Sequence, residues 1–377
     1  MIDRHLELGL TSDYFLISFE REIEMGITQD ALDTAFDVLS GGEAVCLLGP
    51  SGCGKSLSAM PGGSLHTRLA HYFGVDPSEY GHIDYRPSTM DPTEAVGLPW
   101  PNPETGKTHR FLPDNLPTDP DSKGIFVIEE ITRSTKHWCD VFYQFVNERR
   151  LGDYFLPEGW SIMATGNRVQ DGCGATTLPT ALRDRFFDVE YMPCQPDFGK
   201  WAIEHGVDYR VVAATRWHPD FVEAFDGKIK GQQSTGRSLT KFSRVLENSG
   251  LKPSARGKSP EDRRINRLAV AKLGEDDGGR MASFIGIFSR LPDIDDIVSG
   301  LSESVPVPVE FDVQVATVAQ LAKISNDSNI GNILRWIDRN SDTMKVVFAC
   351  DVEGASPFAR DTKEYVDWRI ANDSLFN

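Results

Sequence analysis

Residues 49–56 read Gly49-Pro50-Ser51-Gly52-Cys53-Gly54-Lys55-Ser56, a complete G-x-x-x-x-G-K-[ST] run. Backbone N–H groups of such a run wrap phosphates, its lysine reaches the β- and γ-phosphates, and its terminal hydroxyl ligates Mg²⁺. Other polar residues can act on a phosphate held there. Glu129 and Glu130 close the apolar run Ile125-Phe126-Val127-Ile128. An acid at the first position can hold Mg²⁺ through water, and the next can polarise the water that attacks the γ-phosphate. Asn167 closes the run Trp160–Ala164, where an amide can bond phosphate or water without adding charge. Arg185, in Leu178-Pro-Thr-Ala-Leu-Arg-Asp-Arg-Phe186, is a guanidinium that can reach a neighbouring subunit's nucleotide, with Arg183 a weaker candidate for the same task. Arg237 starts a later helical stretch and can report on the γ-phosphate. Each residue also has an ordinary reading. The acids can be solvated at a strand end, Asn167 can be a turn residue, Arg183 and Arg185 can pair with Asp184 and Asp188, and Arg237 can be a surface arginine.

These residues need elements to hold them. Ala44-Val45-Cys46-Leu47-Leu48 reads as a buried parallel strand feeding the loop. Lys55 to about Phe73 reads as one helix, with the phosphates at its positive N-terminus. Thr28 caps a helix running to about Leu39. Further strands are read at His82–Arg86, Ile125–Ile128, Trp160–Ala164 and Phe187–Tyr191, and a helix at Lys136–Arg149. This alternation predicts an α/β fold, a parallel sheet with helices on both faces that binds ligands at the carboxyl ends of its strands. A Pro/Gly-rich excursion from Pro87 to Asp121 contains a hairpin, Leu98–Trp100 against Thr108–Phe111 around the turn Asn102–Lys107. From Asp197 to Ser249 the pattern is helical, and Gly250–Pro260 reads as a linker. The predicted organisation is a lead-in over 1–27, a nucleotide-binding domain over 28–195 with an insert at about 88–115, a helical lid over 196–250 and a mainly helical region over 251–377.

Bulk composition narrows the partners. The chain has 377 residues and a formal charge of −17, which disfavours a broad nucleic-acid or anionic-membrane surface. One basic stretch, Lys252, Arg256, Lys258, Arg263, Arg264 and Arg267, reads as a solvated face. The six cysteines show no C-x-x-C pair, so we expect free thiols and no structural zinc. The N-terminus lacks a signal-peptide pattern and no apolar run approaches a membrane span, so the expected location is the cytoplasm.

In this order, the motifs resemble those of the AAA+ ATPases, and within them the MoxR-like branch of bacterial and phage type. Gly49–Ser56 is similar to Walker A, Ile125–Glu130 to Walker B, Asn167 to sensor 1, Arg185 to the arginine finger and Arg237 to sensor 2. The stretches Asp91–Pro99, Arg149–Trp160 and Ala164–Arg168 and the ending Tyr365–Phe376 resemble that branch as well. Three positions depart from it: Glu129 where Asp is usual, Thr132 where Asn is frequent, and Gly236 before Arg237 where Pro is common. The resemblance implies an AAA+ P-loop core with an α-helical lid, ATP and Mg²⁺ as cofactors, and a ring, usually a hexamer, with ATP between subunits. It implies remodelling or maturation of a protein partner, often with a protein carrying a von Willebrand factor A-type domain. The excursion then matches a pore-facing insert, with Trp100 and Phe111 as substrate contacts or, alternatively, packing the hairpin. Two alternatives are a GTP-using nucleic-acid motor of the same branch and a nucleotide-gated scaffold with little turnover.

Overall fold

The computed structural model describes residues 27–229, 231–254, 258–355 and 357–376. The expected lead-in and Arg256 of the basic stretch therefore lie outside the described residues. The chain divides into two compact units, one of residues 27–192 with 226–228 and the other of 193–225 with 229–376.

The first unit is built on five parallel strands, β1 (Val45–Leu48), β2 (Gly81–Tyr85), β5 (Gly124–Ile128), β8 (Trp160–Gly166) and β9 (Phe187–Glu190), in the order β2-β5-β8-β1-β9. Two short hairpins, β3 (Leu98–Asn102) with β4 (Lys107–Phe111) and β6 (Arg150–Leu151) with β7 (Tyr154–Phe155), lie outside that sheet. Side chains alternate across a strand, and here the alternation feeds two separate cores. Val45, Leu47, Ile125, Val127 and Met163 pack on one face with α1 (Ile27–Ser40) and α3 (Ser64–Tyr72). Cys46, Phe126, Ile128, Ile162 and Ala164 pack on the other, against Trp138, Phe142 and Phe145 of α5 (Lys136–Glu148). With both faces covered, the sheet leaves only the ends of its strands for chemistry.

The single helix expected from Lys55 to Phe73 is two. Lys55–Ala59 forms α2, and α3 starts again at Ser64. Pro61 brings no N–H to continue the ladder, and Gly62 takes a left-handed backbone with φ 82°, so the chain turns and restarts. A four-residue helix, α4 (Pro92–Ala95), precedes the predicted hairpin, which pairs Trp100 with His109 and Leu98 with Phe111. Trp100 and Phe111 keep their rings 6.2 Å apart, yet both are more than half exposed.

The second unit is helical: after α6 (Thr180–Arg183), which belongs to the first unit, come α7 (Gln195–Glu204), α8 (Tyr209–Trp217), α9 (Asp220–Glu223), α10 (Gly236–Ser249), α11 (Pro260–Leu273) and α12 (Glu275–Ile287). α13 (Ile294–Val298), α14 (Phe311–Ile324), α15 (Ile330–Ile337), α16 (Asp342–Ala355), α17 (Pro357–Arg360) and α18 (Lys363–Ala371) follow. One apolar core joins residues from Ala202 to Trp368. The start of the segment read as a linker, residues 251–254, is held in place instead. Leu251 is buried, and the Lys252 and Ser254 N–H groups donate to Glu261 and Asp262 in the first turn of α11. A buried ion pair, Arg216 of α8 with Asp351 of α16, crosses this core, and burial pushes the Asp351 carboxyl up against the opposing pull of Arg216.

Candidate active site

Strand register brings the predicted residues level. Leu48 pairs with Gly166 and Ile128 with Ala164, so the segments leaving β1, β5 and β8 emerge side by side. The Gly49 N–H donates to the Gly166 carbonyl at 3.2 Å, tying the loop to the central strand. At the far end of the loop Gly54 has φ 108°, a conformation that excludes other side chains, and Lys55 opens α2 directly after it. With only five residues, α2 contributes little macrodipole. The loop's own N–H groups are what this chain offers an anion.

Lys55 is buried, and its ammonium donates to the Gly49 carbonyl at 2.9 Å and the Pro50 carbonyl at 2.7 Å. It also lies 3.4 Å from Asn167 Oδ1 and 3.6 Å from Cys53 Sγ. The predicted cation and the predicted amide therefore share one point in space.

Glu129 is buried, and a single carboxylate oxygen accepts two hydroxyl protons, from Ser56 at 2.7 Å and from Thr165 at 2.6 Å. These are hard oxygen donors on the two residues predicted to serve Mg²⁺, the donor chemistry that ion prefers. The residues present fit the metal. The extra methylene of Glu129 relative to Asp is taken up by this direct reach to Ser56. Glu130 differs in every respect: its φ of 55° turns the backbone left-handed, its side chain is 43% exposed, and it accepts from Arg133 at 2.9 Å.

Three contributors carried no site role in the sequence reading. Thr165 also takes the Glu130 N–H, at 3.3 Å. Thr132 accepts the Asn167 N–H at 3.1 Å through its hydroxyl, while its carbonyl takes the Thr176 N–H at 2.7 Å. Thr132 thus anchors the end of β8 to the end of β5. Arg168 pairs with Asp171 at 2.7 Å and with Glu190 at 2.6 Å, and these bonds raise its pKa above the usual arginine value. Period-2 alternation puts Thr165 on the face of Asn167, but only the neighbouring strands show that it meets Glu129.

Arg185 is elsewhere. Phe187 pairs with Val45, the first residue of β1, which puts Arg185 at the amino ends of the strands, roughly 15–20 Å along the strand direction from Gly49. It does not pair with Asp184 or Asp188. Nη1 donates to the Ala181 carbonyl, and the guanidinium lies over the Tyr143 ring, 3.6 Å from its centroid. Arg183, the weaker candidate, is ion-paired with Asp188. Arg237 belongs to the helical unit, where it is exposed in the first turn of α10 behind the Thr235–Ser238 capping box. A cavity of about 570 Å³ in that unit, beside Arg210, Phe288 and Lys323, is lined by none of the predicted site residues.

No family model matches the chain, and no curated protein matches it. Several solved structures are similar to it. One is NtrX from Brucella abortus, at 12% identity and a TM-score of 0.35 over 73% of this chain and 68% of that one. Another is the RuvB Holliday junction branch migration motor of Thermotoga maritima, at 14% and 0.33 over 64% and 76%. A third is a DNA polymerase III gamma subunit-related protein of the same organism, at 15% and 0.31 over 92% and 99%. These are distant likenesses, and the function of this chain is read from its own residues.

Proposed function

We propose that this chain is a Mg²⁺-dependent ATPase of the AAA+ type that works as a ring-shaped homo-oligomer. The observation that carries the reading is the convergence of Lys55, Ser56, Glu129 and Asn167 at the carboxyl ends of β1, β5 and β8. Residues Gly49 to Ser56 grip the phosphates, and Ser56 with Glu129 holds the metal. Glu130, turned out of the strand line and half-exposed, positions the attacking water. Asn167 and Arg237 respond to the γ-phosphate. Arg185 sits too far along the sheet to serve its own loop, which supports a role on the neighbouring copy. Following the resemblance to the MoxR-like branch, the ring is a hexamer in the cytoplasm. Its turnover drives remodelling or maturation of a protein partner, together with a von Willebrand factor A-type domain protein, and Trp100 and Phe111 touch that substrate.

The test mixes two inactive variants. Lys55→Ala holds nucleotide poorly but still offers Arg185, and Arg185→Ala holds nucleotide but offers no guanidinium. Turnover measured across mixing ratios should rise above that of either variant alone. If no ratio restores activity although both variants co-assemble by light scattering, the shared site is wrong.

A further inference from the structure

Tyr143 lies on the outer side of α5, 40% exposed, while Trp138, Phe142 and Phe145 of the same helix fill the core. Core packing therefore does not account for an aromatic ring at this position. The Arg185 guanidinium rests on that ring. Glu43 and Asp184 line the same cavity of about 330 Å³ as Arg185, yet among the described residues Arg185 forms an ion pair with neither. Its Nε is buried and has no hydrogen-bond partner among the described residues. A carboxylate in the place of Tyr143 would hold the guanidinium and cancel its charge. An aromatic face attracts the cation through its quadrupole and leaves that charge uncancelled.

We infer that Tyr143 is a positioning residue for Arg185, a neutral seat that fixes the aim of the guanidinium toward the nucleotide of an adjacent copy. This rests on the trans role proposed for Arg185. Tyr143→Leu removes the ring and keeps apolar bulk, and Tyr143→Phe keeps the face. In the assembled full chain with ATP and magnesium, Tyr143→Leu should lower kcat about fivefold, the factor a partly exposed cation–π contact corresponds to. Affinity for a fluorescent ATP analogue and assembly by light scattering should not change. Tyr143→Phe should restore turnover. In an Arg185→Ala background, Tyr143→Leu should have no further effect, because the two residues act as one unit.

An equal fall caused by Tyr143→Leu with and without Arg185 would overturn the inference, showing a general structural role. So would full turnover in Tyr143→Leu while Arg185→Ala is inactive, and that result leaves the trans arginine standing. Full turnover in Arg185→Ala itself would instead remove the trans reading, and the seat with it.

Discussion

At the carboxyl ends of the sheet, Lys55, Ser56, Glu129, Thr165 and Asn167 are bonded to one another or to the loop that carries them. At the amino ends, Arg185 stands on a neutral ring with one buried N–H unpaired. Hydrogen bonds to a buried carboxylate fix geometry and contribute to stability. A cation held by a ring is fixed in direction but not neutralised. One end is tied together by bonds among its own residues, and the other leaves a charge uncancelled.

Substitutions separate the two ends by kind as well as size. The largest effect should come from Glu130→Gln, which keeps shape and hydrogen bonding but cannot take a proton. Turnover should fall by about 10²- to 10⁴-fold with nucleotide affinity intact, and an unchanged hydrolysis rate would remove Glu130 from the reaction. Lys55→Ala takes a buried cation from the loop and should weaken nucleotide binding by about 10²- to 10³-fold in a fluorescence titration. Thr165→Val strips one of the two hydroxyl donors from Glu129 and should cost about 2 kcal/mol in chemical denaturation. An unshifted midpoint would mean that Ser56 alone satisfies the acid. Arg185→Ala should change stability by no more than about 1 kcal/mol, the size of the ring contact it loses. A larger loss would mean that the amino end is structural after all, and the contrast between the ends would fail.

Much of this was readable before any coordinates. The apolar runs, their alternation with helices and the placement of polar residues directly after them gave five strands, a hairpin and the loop, because those features depend on local pattern. The contacts of Thr165, Thr132 and Tyr143 have no local signal because they depend on which elements are neighbours. Nothing near Thr165 in sequence says that Glu129 is opposite it. The break after Ala59 lies where Pro61-Gly62-Gly63 announces it, inside the stretch read as one helix. The supposed linker shows the reverse: Gly, Pro and charge mark a loop, but only tertiary packing reveals that Leu251 is buried. The setting of Arg185 on an aromatic face had no sequence signal.

The left-handed backbone at Glu130 has a consequence for how this chain can change. A glutamate there costs conformational energy that asparagine, at home in that region, would largely avoid. Random drift toward a sturdier fold therefore pushes this position away from glutamate. On the role proposed for Glu130, such a substitution would strengthen the protein while silencing it.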